Sequence, residues 1–97
     1  MNRPKRTAPD KNQPTIVRHA RDLGMVVWDT HNIGGEVLDI LICWRGRCLP
    51  VEIKRPGHRD ALTPGERRGI AALAHVGVQA VIAESIDDVL AAFEVGE

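Results

Sequence analysis

The stretch that decides the fold is Leu38-Asp39-Ile40-Leu41-Ile42-Cys43-Trp44-Arg45-Gly46-Arg47-Cys48-Leu49-Pro50-Val51-Glu52-Ile53-Lys54. Residues 38–44 and 47–54 are both strand-like, and Arg45-Gly46 between them suits a two-residue hairpin turn. Such a turn pairs Trp44 with Arg47, Ile42 with Leu49, Ile40 with Val51 and Leu38 with Ile53. That face is almost wholly apolar and must pack against helices. Side chains alternate along a strand, so the other face carries Asp39, Leu41 and Cys43 beside Cys48, Pro50, Glu52 and Lys54. In this register Asp39 lies across from Glu52, with Cβ atoms about 5 Å apart. Lys54 follows on the same face. A slip of one residue would part the two acids, and a bulge would restore them.

Working outward, Ile16, Val17, Ala20 and Leu23 fall on one helical face, which predicts a helix from about Pro14 to Leu23 with Gly24 past its end. Met25–Thr30 reads as a short strand and His31–Glu36 as a loop. After a loop over Pro56–Leu62, Thr63-Pro64-Gly65-Glu66 has the form of a capping box, and its helix should run to Val76 and stop at Gly77. Val78–Ala83 is the fourth strand. Ser85 caps a last helix that packs through Val89, Leu90 and Phe93. The order α-β-β-β-α-β-α predicts an α/β protein, helices flanking a mixed four-stranded sheet in a three-layer arrangement. Ninety-seven residues hold one domain. We place it over residues 12–97, after a polar, basic, flexible tail over residues 1–11.

Two neighbouring carboxylates raise each other's pKa unless something neutralises them, and a divalent cation does so. Mg²⁺ takes one or two protein carboxylates and leaves its other positions to water and phosphate oxygens. Bound water becomes a better nucleophile, and an ammonium beside it supports the charge that develops. Asp39 and Glu52 are thus candidate metal ligands, Lys54 the candidate ammonium and the Ile53 backbone carbonyl a further ligand.

Gly34-Gly35-Glu36-Val37-Leu38-Asp39, a short hairpin, then Val51-Glu52-Ile53-Lys54 resembles the signature of the PD-(D/E)XK nucleases. More narrowly the chain resembles the VRR-NUC domain nucleases over nearly all of residues 10–93, including the Asn12-Gln13-Pro14 helix start and the Leu62-Thr63-Pro64 segment. The resemblance implies a restriction-endonuclease-like core and metal-dependent cleavage of DNA, often branched or structured, with Mg²⁺ or Mn²⁺. It also implies a homodimer. Leu38 replaces the usual proline before the first acid. Glu66 stands where the family commonly has glutamine, and Gln13 and Thr15 where its first helix often has glutamate. Gln13 and Glu66 are therefore additional site candidates, with helix capping the first reading of Glu66. These departures motivate a second reading, a catalytically silent nuclease fold that binds nucleic acid or serves in assembly.

Composition is that of a soluble globular protein, 43% hydrophobic and 27% charged, with 13 basic and 13 acidic side chains. Zero net charge hides a segregation. Residues 1–21 and 45–68 are rich in Lys and Arg, whereas residues 84–97 carry acids and no base. Basic regions of this kind attract phosphate. Arg55, His58 and Arg59, after the catalytic lysine, and Arg67 and Arg68, in a helix's first turn, are the candidate DNA contacts. His31 and Asn32 are expected in a loop, either as ordinary loop residues or bordering the site. No apolar run reaches membrane-spanning length and no signal-peptide pattern is present, so no membrane is expected and a reducing cytoplasm is the expected setting. Cys43 and Cys48 should then face each other as free thiols, with a disulfide as the alternative. The four histidines lack zinc-site spacing. Trp28 and Trp44 are expected in the core, and so few aromatic residues do not supply a stacking-based single-strand binder.

Overall fold

Arg45 and Gly46 both adopt positive φ, 52° and 78°, which is what a type I′ turn requires and what matches the twist of the strands it joins. The hairpin they close lies at the centre of a computed structural model that describes residues 12–94. The tail expected over residues 1–11 lies outside the described residues, as do residues 95–97. The elements are α1 (Gln13–Asp22), β1 (Val26–Asp29), β2 (Ile40–Trp44), β3 (Arg47–Ile53), α2 (Pro64–His75), β4 (Val81–Ala83) and α3 (Ile86–Glu94). The sheet order is β1-β2-β3-β4. β1 and β3 each pair antiparallel with β2, and β4 runs parallel to β3. The sheet is thus mixed, and α2 is the crossover between its parallel pair, as parallel strands require.

The hairpin register is Trp44 to Arg47, Ile42 to Leu49 and Ile40 to Val51, as expected, but it stops there. Leu38 does not pair with Ile53. The Ile53 N–H donates instead to the Asp39 Oδ2 at 2.8 Å, while the Leu38 carbonyl accepts from the Thr30 hydroxyl at 2.6 Å. Leu38 is buried in a cleft beneath α2. A side-chain carboxylate has taken over the last rung of the ladder, and the chain bends away just before it.

One sheet face is the core. Val27, Ile40, Ile42, Leu49, Val51, Ile53 and Ala83 pack against Ile16 and Ala20 of α1 and Val89 and Phe93 of α3. Trp44 joins them from the rim, edge-on to Phe93 with centroids 5.7 Å apart. Trp28 does not. It projects from the opposite face and is 65% exposed, which corrects its expected place in the core. β1 is apolar on both faces, so alternation could not say which side turns inward; packing buries Val27 and leaves Val26 and Trp28 outside.

α2 lies on that other face, held by backbone proximity. A Cβ at Gly65 would stand 2.7 Å from the Gly35 carbonyl oxygen, and one at Gly69 would overlap the Glu36 carbonyl oxygen. The helix starts on a complete capping box: the Thr63 hydroxyl accepts from the Glu66 N–H, and the Glu66 carboxylate accepts from the Thr63 N–H. Cys43 and Cys48 are joined in a disulfide across β2 and β3, a correction to the expected free thiols. They are direct partners in the register with Cα atoms 4.0 Å apart, and close pairs of this kind fall at the non-hydrogen-bonded positions of an antiparallel ladder. No helix among the described residues is long and apolar enough to cross a membrane.

Candidate active site

Two strand ends build the site. Asp39 stands just before β2, its side chain turned toward β3 by the hydrogen bond from Ile53. Glu52 comes from β3, between Val51 and Ile53 of the core face, so alternation aims it toward α2. Both are almost wholly buried, Asp39 at 4% exposure and Glu52 at 1%. Lys54 follows β3, its N–H extending the parallel ladder to the Ala83 carbonyl at 2.9 Å. Its ammonium lies 3.3 Å from the Glu52 Oε2 and 3.2 Å from the Glu66 Oε1. The proximity of Asp39, Glu52 and Lys54 is what the hairpin register predicts.

Burial is the largest influence on Glu52, followed by the charge of Asp39 and contact with Glu66; together they push its carboxyl up to about 9 against the opposing pull of Lys54. Burial also disfavours charge on Glu66, but the Thr63 N–H, a hydrogen bond with Glu52 and the Lys54 ammonium prevail and hold it below the usual carboxylate range. Lys54 is raised, because the two glutamates outweigh its own burial. Near neutrality Glu52 therefore keeps a proton and the ammonium is retained. Glu52 Oε2 is within ion-pair distance of Lys54 yet has no aligned hydrogen bond, and it is buried.

A buried carboxylate oxygen without a hydrogen bond, beside a second carboxylate, fits a divalent cation, which would replace the proton on Glu52. Asp39 and Glu52 would hold it. The Ile53 carbonyl shares a strand edge with the Ile53 N–H that meets Asp39, which makes it the available backbone oxygen. Among the described residues, no group of three or more His, Cys, Asp or Glu side chains is arranged to hold a metal ion. Glu66 is engaged twice over, by its own helix cap and by Lys54.

Other candidates are dispersed. Gln13 is buried, its Oε1 without a hydrogen-bond partner, and it lines a groove of about 480 Å³ along α1 with Arg18, Arg21 and Asp29. Arg55 and His58 are exposed on the loop after β3. Arg59 is drawn to the acidic end of the chain, bonding Asp88 at 3.3 Å and the Ile82 carbonyl at 3.2 Å. Arg67 reaches the Asp60 carbonyl, and Arg68 pairs with Glu36 while staying largely exposed. His31 is joined to Asp29.

Asn12 has a role that sequence reasoning missed. Its amide does not cap α1 but donates to the carbonyls of Lys54 (2.9 Å) and Glu84 (3.1 Å), fastening the start of α1 to the ends of β3 and β4. An asparagine before a helix reads first as a cap, so no local signal marks this use. No family model, curated protein or solved structure matches the chain.

Proposed function

We propose that the chain is a metal-dependent DNA endonuclease of the VRR-NUC kind within the PD-(D/E)XK nucleases, hydrolysing phosphodiester bonds in branched or structured DNA with Mg²⁺ or Mn²⁺. The observation that supports it is the meeting of Asp39, Glu52 and Lys54 at adjoining strand ends, with both acids almost wholly buried. A bound divalent ion supplies a nucleophilic water and stabilises charge on the phosphate under attack. The protein's own groups do the rest. Asp39 is locked in orientation by the Ile53 N–H. Glu52, once deprotonated, presents a buried anionic oxygen. Lys54 keeps its ammonium beside that oxygen, where it orients the attacking water and supports developing negative charge. Pairing of two copies and a cytoplasmic setting belong to the same proposal.

A second reading, a catalytically silent module that binds nucleic acid or serves in assembly, is favoured by one observation. Lys54 is held between Glu52 and Glu66, so its ammonium is already engaged by two carboxylates. Titrating Mg²⁺ or Mn²⁺ against duplex, flap, single-stranded and four-way-junction DNA separates the readings: product that appears only with metal supports the enzyme, and binding without product supports the module. In the enzyme, Lys54→Ala should lower cleavage by about 10²–10³-fold with the fold intact by circular dichroism. Undiminished cleavage by that variant would remove Lys54 from the mechanism.

A further inference from the structure

Trp28 is the large aromatic side chain that the fold leaves outside. Trp44 and Phe93 stack edge-on at the rim of the core, and Arg45 and Arg47 lie over their rings. Among the described residues nothing comparable stacks on Trp28, and it stands 65% exposed although Val27 beside it is buried. Leaving an indole in water forgoes a large burial gain. The position therefore asks what the ring meets.

Its place relative to the carboxylates narrows the answer. Trp28 is the register partner of Leu41, and Leu41 of Pro50, which makes one row across the sheet. The adjacent row on the same face runs from Thr30 to Asp39, joined by the Thr30 N–H at 2.8 Å, and on to Glu52. Trp28 and Asp39 are thus diagonal neighbours, with Cα atoms about 7–8 Å apart. An apolar row ending in an open indole lies directly beside the acidic row. The same face carries the Lys54 ammonium and, on α2, the exposed Arg68, each paired with glutamate, so a cation held at Asp39 and Glu52 is what would draw phosphate here.

We propose that Trp28, with Leu41 at its side, is a stacking platform for an unpaired nucleobase of the strand whose phosphate is held at Asp39 and Glu52. The inference rests on the nuclease reading and deepens it by specifying the substrate. Inside a duplex both faces of each base are covered by neighbours, and the indole has no face to meet. A base at a flap, gap or junction is free to stack. One platform next to the scissile position selects such a nucleotide without the series of aromatic residues that a single-strand coating protein needs.

The test measures binding apart from cleavage. A fluorescently labelled single-stranded oligonucleotide, and the same sequence as a closed duplex, are titrated in Ca²⁺, with the DNA checked to be intact, against the wild-type chain, Trp28→Ala and Trp28→Phe. Trp28→Ala should weaken single-strand binding by roughly 5- to 150-fold. Trp28→Phe should retain most of it, duplex affinity should change little, and tryptophan emission of the wild type should be quenched on binding. Single-strand affinity unchanged by Trp28→Ala overturns the proposal. So does a variant that turns a dimer into a monomer in sedimentation while binding DNA as before, since a second copy would then be what meets the ring. Cleavage of the same strand in Mg²⁺ is scored separately. Trp28-dependent binding without wild-type cleavage leaves the platform standing and removes the enzyme; wild-type cleavage with Trp28-independent binding does the reverse.

Discussion

Replacing Gly69 with alanine sets two effects of opposite sign against each other. Inside a helix the change removes glycine's backbone freedom and should stabilise by about 1 kcal/mol. At this position, however, the new Cβ would overlap the Glu36 carbonyl oxygen and lie 3.1 Å from the Glu36 carbonyl carbon and 3.3 Å from its Cα. Carbon atoms rest at about 3.5–4.0 Å, and a backbone cannot swing aside as a side chain can. Overpacking of a well-packed contact costs about 1–3 kcal/mol, and an overlap with backbone on one side and helix on the other belongs at the upper end. The net expectation is a loss of about 2 kcal/mol. Urea unfolding reads it directly: with a slope of about 1 kcal/mol/M, the midpoint should fall by about 2 M. The strain has a second readout, because Glu66 lies between the two close glycines and holds Lys54 at 3.2 Å. A helix pushed off the Gly35–Glu36 backbone carries Glu66 away. A Gly69→Ala protein as stable as the wild type, or more so, would refute the account of how α2 is seated.

Two further outcomes follow from the site and the hairpin. Glu52 binds a proton in the folded protein up to about pH 9 but releases it near its ordinary value of 4.5 when unfolded. The folded state therefore holds more protons across that window, and metal-free stability must fall as pH rises through it. Thermal melts in EDTA should show the decline in the wild type and a flatter profile in Glu52→Gln; parallel profiles would contradict the assignment. The bridge between Cys43 and Cys48 closes a short loop, with a sequence separation of 5. Chain entropy gives such a bridge about 2 kcal/mol, so the Cys43→Ser/Cys48→Ser double variant should lose that much in chemical unfolding, and dithiothreitol should have no further effect on it.

The parts of the molecule that local chemistry dictates were legible in the sequence. Arg45-Gly46 specifies its turn, the turn sets the register, and the register brings Asp39 toward Glu52. Thr63 and Glu66 announce their capping box in four residues. What escaped reading depends on contacts between distant segments. Val26, Val27 and Trp28 are all apolar, so nothing in β1 tells the buried face from the exposed one until α1 covers it. The Gly65 and Gly69 spacing has meaning only when the Gly35–Glu36 backbone lies against it. Glu66 was visible as a cap, but its hold on Lys54 requires α2 to be seated first. The contact of Arg59 with Asp88, 29 residues on, likewise needs the parallel pairing of β3 and β4.

On the nuclease reading, the hydrogen bond from Ile53 to Asp39 binds architecture and reactivity into a single carboxylate. In a lineage released from selection for turnover, position 39 would still owe the strand an acceptor and could drift only as far as asparagine. Glu52 would be under no such obligation, and its burial would favour replacement by a neutral residue. The two acids would decay at different speeds, the first persisting as a fossil of the chemistry long after the second had gone.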